Sequence, residues 1–302
     1  MTWRPKFSIG GLLGLLFLLL LLAMDALLVA WLVNSAIRAQ QIGFGTYFLG
    51  LLLLGTLPLI VVIAYHTVAW LTLRYHLDRN GLTIRWAGWA HVIPIRDIQR
   101  ILRGSQLGGV VVRRRGVRWP GYVRGMGLVP GIGRTHFLAS RPLPEQLIVV
   151  TPGMAFAISP EDLEGFLESY EARRELGPNR LLARQVHRAP WFEWPLWRDG
   201  TAWTLLGAAL LVNLALFGYL TIRFPGLDFQ LPLHFSSQGQ VDRIGTKAEL
   251  FALPIIGLII LGTNLILGLF LYRRERAGSY LLWGAAAAAQ GLFWLATFSI
   301  VP

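Results

Sequence analysis

Apolar residues gather in five long blocks, 7–33, 47–71, 201–222, 250–272 and 279–301. At about 1.5 Å per helical residue, each block can cross roughly 30 Å of hydrocarbon. The pattern predicts five membrane spans. Between the second and third blocks the spacing changes to short alternating runs. "RYHLDRNGLTIRW" alternates around Asn80-Gly81 and reads as a hairpin. Further strands are predicted at "AHVIPI", "VVVRRR", "THFLAS", "QLIVVT" and "MAFAIS", with Pro152-Gly153 turning the last pair. "SPEDLEGFLESYEARREL" then changes to a helical period. Ser159 is its expected N-cap, Pro160 its first helical residue and Asp162 the capping-box partner, with Leu163, Phe166, Leu167 and Tyr170 on one apolar face. The expected fold class is membrane α-helical with about five transmembrane helices, plus a small all-β barrel capped by one C-terminal helix.

Four segments follow: a two-helix transmembrane hairpin at 1–72, a soluble domain at 73–176, an interfacial aromatic and basic linker at 177–200, and a three-helix transmembrane region at 201–302 with an outer loop at 223–249. The linker combines Trp191, Phe192, Trp194 and Trp197 with Arg184, Arg188 and Arg198, the composition of a headgroup belt. A disordered linker would explain its arginines but not its tryptophans. The first block follows Arg4 and Lys6 but is too long for a signal segment and lacks a small-x-small cleavage site, so it reads as a retained helix.

Composition supports this picture. The chain has 302 residues, is 54% hydrophobic, and has a mean hydropathy of +0.53. It contains no cysteine, which excludes disulfides, thiolate metal sites and a cysteine nucleophile together. The net charge of +12 suits cytoplasmic loops facing anionic lipid better than nucleic acid. Basic residues cluster before the first span, between the second and third, and at "YRRERAG" between the last two. The positive-inside rule then expects a multi-pass membrane protein with its N-terminus and soluble domain cytoplasmic and the 223–249 loop outside.

The residues "YHLDRNGLTIRW…IPIRDIQRI", "WPGYVRGMGLVPGIGRTHFLAS" and "FAISPEDLEGFLESY" resemble the bacterial pleckstrin-homology-like domains of membrane-anchored proteins. The resemblance implies a seven-stranded barrel capped by a helix, a binding or assembly module and not an enzyme. "LPLHFSSQGQVDRIGTKAELFALP" resembles a domain-of-unknown-function family found near the start of SdpI-type peptide-toxin immunity proteins. The matching residues are Leu231, Pro232, His234, Phe235, Gly239, Asp242, Gly245, Lys247 and Pro254.

Catalytic motifs are missing: there is no nucleophile elbow, HExxH helix or P-loop, and the glycine-rich run 125–133 reads as a mobile barrel loop. The six histidines never pair at ligand spacing, so no metal and no cofactor is expected. The strongest charge feature is an acid-free stretch between Asp97 and Glu145. It holds Arg100, Arg103, Arg113, Arg114, Arg115, Arg118 and Arg124, interleaved with Trp119 and Tyr122, as the candidate lipid- or partner-binding surface. A solvated set of strands whose charge serves only topology is the alternative. In the outer loop, His234, Asp242 and Arg243 are candidates for a recognition cleft, against a folded hairpin capped by Thr246 and Glu249. Asp25 is the carboxylate inside a span, read either as a hydrogen-bonded structural residue or as a relay. Asn213, Asn264 and Gln290 are expected to hydrogen-bond between helices.

The sequence therefore reads as a non-enzymatic scaffold or sensor engaging anionic phospholipids or a protein partner, with homo-oligomerisation open and no nucleic acid. A small transporter or immunity protein using Asp25 and the outer loop is the alternative.

Overall fold

The computed structural model describes residues 1–37, 42–107, 113–119, 121–235 and 240–301, without the side chains of 36, 37, 113–115, 117–119, 234 and 235. Five helices are long and apolar enough to cross a membrane, among the described residues. The chain divides into two compact units, Met1–Ala23 with Leu57–Glu193, and Met24–Thr56 with Trp194–Pro302.

The first unit begins with a short strand, β1 (Thr2–Trp3), before α1 (Gly10–Ile37). Helix α2 (Phe44–Leu71) leads after two residues into β2 (Arg74–Leu77). There follow β3 (Gly81–Trp86), β4 (Trp89–Pro94), β5 (Arg100–Arg103), β6 (Arg113–Trp119), β7 (Tyr122–Val129), β8 (Gly133–Ala139), β9 (Leu147–Thr151), β10 (Met154–Ile158), α3 (Leu163–Leu176) and β11 (Gln185–Arg188). Two sheets result, of order β1-β2-β3-β4-β11 and β5-β9-β10-β8-β7-β6. Their shared core holds Leu82 and Ile84 from the first sheet, Val149 and Phe156 from the second, and Phe166 and Tyr170 from α3. The other face of the larger sheet is buried too, around Phe137, Ile148, Val150 and Ala157. Burial on both faces is why β9 and β10 read as continuous apolar runs.

The capped all-β domain is present, but it is two hydrogen-bonded sheets and not a closed seven-stranded barrel, among the described residues. Its edges recruit chain from outside the expected boundaries. Residues before α1 join it: the Met1 ammonium donates to Leu77 O at 2.9 Å, and Lys6 N donates to Ser159 O at 2.9 Å. Part of the expected interfacial linker becomes β11, which covers the edge of β4, as an exposed row of backbone donors favours.

Three local expectations are corrected. The helix cap is Asp162, whose carboxylate accepts from Gly165 N at 2.9 Å. Ser159 is buried instead and accepts from Ser140 N at 2.8 Å. Gly81 is required by close approach and not by the turn, since a Cβ there would lie 2.2 Å from Ile93 O; the turn is an Asx motif in which Asp78 accepts from Asn80 N and Gly81 N, both at 2.8 Å. The glycine-rich run is strand and not loop through Val129. Gly116 and Gly125 pair across β6 and β7 with φ of 148° and 146°, a backbone that side chains rarely adopt.

In the second unit, α4 (Gly200–Arg223) leads to a ribbon of β12 (Gln230–Phe235) and β13 (Val241–Thr246), then α5 (Ala252–Tyr272) and α6 (Arg276–Ile300). Asn213 on α4 donates to Gln290 Oε1 on α6 at 2.9 Å and to Pro254 O on α5 at 3.0 Å, while Gln290 donates to Gly257 O at 2.9 Å. Asn264 differs from expectation, since it donates to Ile260 O of its own helix at 3.0 Å. Asp199 caps α4 by accepting from Ala202 N, and its other oxygen accepts from Tyr272 and Tyr280, each at 2.5 Å.

Candidate functional site

The sequence-predicted residues do not form one surface. Strand β5, carrying Arg100 and Arg103, lies at one edge of the six-stranded sheet, and β6, carrying Arg113, Arg114, Arg115, Arg118 and Trp119, lies at the other. Arg103 is committed to Glu164 at 2.5 Å. The side chains of Arg113, Arg114, Arg115, Arg118 and Trp119 lie outside the described residues; their backbone pairs with β7, with Trp119 opposite Tyr122 and Val117 opposite Arg124.

Tyr122 and Arg124 are where the charge finds structure. Tyr122 is 3% exposed and sits against His66 of α2, with ring centroids 6.1 Å apart. The Arg124 guanidinium lies 5.2 Å from the centre of the Tyr65 ring and 5.7 Å from that of Trp86. Tyr65 is six residues from the end of α2, about 9 Å along the helix axis. Strand β7 therefore packs on the last two turns of span two. No carboxylate pairs with Arg124 among the described residues.

Beyond Trp86 the two sheets bring together a pair that the spacing concealed. His91 of β4 and His136 of β8 have ring centroids 5.3 Å apart, and Trp86 stacks on His91 at 5.2 Å and 9°. Phe156 borders both rings. Burial is the main force lowering both histidines to about 4, assisted at His91 by Arg184 and Arg188 and at His136 by His91 and Arg124. Arg188 lies 4.7 Å from the Trp89 ring centre, and Arg184 lies 5.6 Å from that of Phe156. The indole N–H groups of Trp86 and Trp89 are buried without partners. The arrangement is a row of cations and neutral imidazoles with donors to spare and no acid among the described residues. It can accept an anion and has no nucleophile–base pair. Two histidines are too few for a closed metal site, and no cluster of three or more potential metal ligands occurs among the described residues. Sequence reasoning missed His91 and His136 as a pair, and it read Arg184 and Arg188 as part of an interfacial belt and not as neighbours of His91. Their signal lay in strand parity across two sheets, which spacing along one chain does not reveal.

The other candidates are internally satisfied to a greater degree. Asp25 accepts from Thr56 Oγ1 at 2.8 Å through one oxygen, joining α1 and α2, while its other oxygen is buried without a partner. In the 223–249 loop, Arg243 pairs with Glu249 at 2.9 Å, and Thr246 with Glu249 completes the expected capping box. His234 stands opposite Arg243 in the ribbon, with its side chain outside the described residues; Asp242 precedes Arg243 in β13. Gly245 belongs to the strand and not to a turn, pairing with Leu231 across the ribbon, and a Cβ there would meet the Leu233 side chain at 2.3 Å. The loop is a folded hairpin whose arginine is already engaged.

Residues 73–174 match the bacterial PH domain family, and residues 211–258 match a domain of unknown function, DUF1648. The second match runs from the middle of α4 through the β12–β13 ribbon into α5, and so includes Asn213 and Gly257. No curated protein and no solved structure matches the chain.

Proposed function

We propose that this multi-pass membrane protein is a non-enzymatic scaffold or sensor whose PH-like domain engages anionic phospholipid headgroups on the cytoplasmic face of a bacterial inner membrane. The observation that carries the reading is the placement of Arg124. It rests on Tyr65, near the end of a membrane span, with no carboxylate to neutralise it among the described residues. A cation at that depth lies where phosphate groups lie, and arginine stays charged when partly desolvated. The acid-free row through Trp86, His91 and His136 extends the same character, and β6 adds arginines at the adjacent edge.

The test uses the full chain in detergent micelles. Added phosphatidylglycerol should raise its melting temperature more than phosphatidylcholine does, and salt should reduce the difference, because screening acts over about 8 Å at physiological ionic strength. Replacing Arg113, Arg114 and Arg115 by Ala should weaken the preference by up to about 1 kcal/mol for each residue near the surface. Equal stabilisation by the two lipids would reject the electrostatic reading and favour a protein partner.

A further inference from the structure

The outward face of the five-stranded sheet carries a row of side chains that the Arg124 reading does not use. Cross-strand register sets Arg74, Arg85, Ala90 and His187 side by side on β2, β3, β4 and β11. Their chain neighbours Tyr75, Ile84 and Trp86 are buried in the core, so strand parity turns the row away from it. Ala90 is the short member between two long ones and leaves a hollow. The resulting groove has a volume of about 410 Å³ and is lined by Arg85, Ala90 and His187 together with Thr72, Gly88 and Trp89. Its turn is held from two sides: Ala87 N donates to Thr72 Oγ1 at 2.8 Å, and Gly88 O accepts from Ala189 N at 2.9 Å. That grip keeps Ala87 at a φ of 40°, uncommon for a residue with a side chain. Thr72 follows the last residue of α2 directly, so the groove lies where span two leaves the hydrocarbon.

Charge in this row is unbalanced. Arg74 and Arg85 stand directly opposite each other, and like charges so placed destabilise a ladder. Arg74 is anchored at the end of the helix, donating to Leu71 O at 3.0 Å and to Leu73 O at 2.6 Å. Arg85 and His187 are exposed, and neither side chain has a hydrogen bond or an ion pair among the described residues. A phosphate group meets both conditions: its oxygens can accept from the planar fork of Arg85 and from an imidazole N–H of His187, and its charge offsets the opposed arginines. We infer that the groove over Ala90 is a site for the phosphate of one anionic phospholipid headgroup, held between Arg85 and His187. The volume lies within the range of small-ligand sites, which begins at about 300 Å³, and the headgroup alone enters while the acyl chains stay in the bilayer. Position favours a lipid over a soluble phosphate, because Thr72 ties the groove to the end of a span. The inference rests on the proposed lipid engagement and gives it a defined contact apart from Arg124.

Phenylglyoxal labelling of arginine, read by mass spectrometry on the full chain in nanodiscs, tests it. Phosphatidylglycerol mixed into phosphatidylcholine should slow the labelling of Arg85 about fivefold, the change that about 1 kcal/mol represents for one arginine at an anionic surface. Arg180, whose backbone is bonded to Asn80 at the other end of the sheet, should label at the same rate in both lipids. Ala90→Leu, which fills the hollow without removing a charge, should abolish the protection of Arg85. Full protection in that variant at an unchanged melting temperature would overturn the site. His187→Ala, on an edge strand, keeps the test valid should Ala90→Leu not fold: Arg85 should then label faster than in the wild type when phosphatidylglycerol is present, and an unchanged rate would overturn the site too. Inorganic phosphate added to phosphatidylcholine nanodiscs should protect Arg85 less than phosphatidylglycerol does; equal protection would assign the groove to a soluble phosphate and sink the lipid assignment. If phosphatidylglycerol raises the melting temperature of the wild type while Arg85 labels equally in both lipids, the site is wrong and the broader headgroup reading stands. If phosphatidylglycerol does neither, both fail.

Discussion

Two groups of polar side chains, one in each unit, are used differently. In the second unit they pair with one another: Asn213, Gln290 and the carbonyls of Pro254 and Gly257 form one set, in which only Asn213 Oδ1 is left buried without a partner, Asp199 with Tyr272 and Tyr280 another, and Arg243, Thr246 and Glu249 a third. Inside a membrane, pairing such as that of Asn213 with Gln290 replaces the water that would otherwise satisfy these groups. In the first unit, Arg124, His91 and His136 lie among aromatic rings with no acid beside them among the described residues. Closed polar networks fix helix positions, whereas cations left open towards a span are available to an anion. The difference separates a structural use of polarity from a receptive one, although both units carry polar residues within or near apolar helices.

If that separation is real, mutations should divide along it. The largest loss of stability is expected for Asp199→Ala, which removes a helix cap and two charge-assisted hydrogen bonds, about 3 kcal/mol in all. Its carboxyl is held down to about 2 chiefly by the Tyr272 and Tyr280 hydroxyls. The bonds accepted by the charged form should therefore persist on acidification from pH 7 to 4, and the variant's deficit should stay nearly constant across that range in thermal melts. Next comes Gln290→Leu, which takes away one of the two acceptors of the Asn213 amide and the donor to Gly257 O, and should cost about 1 to 2 kcal/mol by the same assay.

The histidine pair should produce a smaller, pH-dependent effect. Both imidazoles titrate near 4 in the folded protein and near 6.5 when unfolded, so the unfolded chain binds more protons between those values. Stability should be greatest above about pH 6.5, fall as pH drops towards 5, and fall less steeply in His91→Asn. Saturating phosphatidylglycerol should lessen the fall, because a nearby phosphate favours the imidazolium form. The smallest stability change, under about 1 kcal/mol, belongs to Arg124→Gln, whose stacking on Tyr65 and Trp86 is of cation–π strength. A cost of several kcal/mol there would erase the contrast between the units. Orientation is checked independently with an impermeant thiol reagent on intact cells, where Gln240→Cys should label and Ser105→Cys should not.

Much of this was legible from one-dimensional pattern. The five helices start and stop within a few residues of the apolar blocks, because hydrocarbon thickness sets their length. The hydrogen-bonded reading of Asp25 is met by Thr56, although its partner was not named from sequence, and the Thr246–Glu249 cap followed from a local motif. Non-local pairing was less visible. Strand β7 hid among glycines whose purpose is close backbone approach, and β1 and β11 were assigned to a helix start and a linker because sheet edges recruit whatever chain lies nearby. The acid-free arginine run was correctly seen in sequence but divided in space, since β5 and β6 stand five strand spacings apart in their sheet.

One joint has a mechanical consequence. Only Thr72 and Leu73 separate α2 from β2; Leu73 is buried in the domain core, and Thr72 Oγ1 both donates to Val68 O in the helix and accepts from Ala87 N at the β3–β4 turn. So short and doubly bonded a connection leaves no slack. A twist or tilt of span two is carried into the five-stranded sheet as the motion of a single lever, and a load on the sheet returns to the span by the same arm.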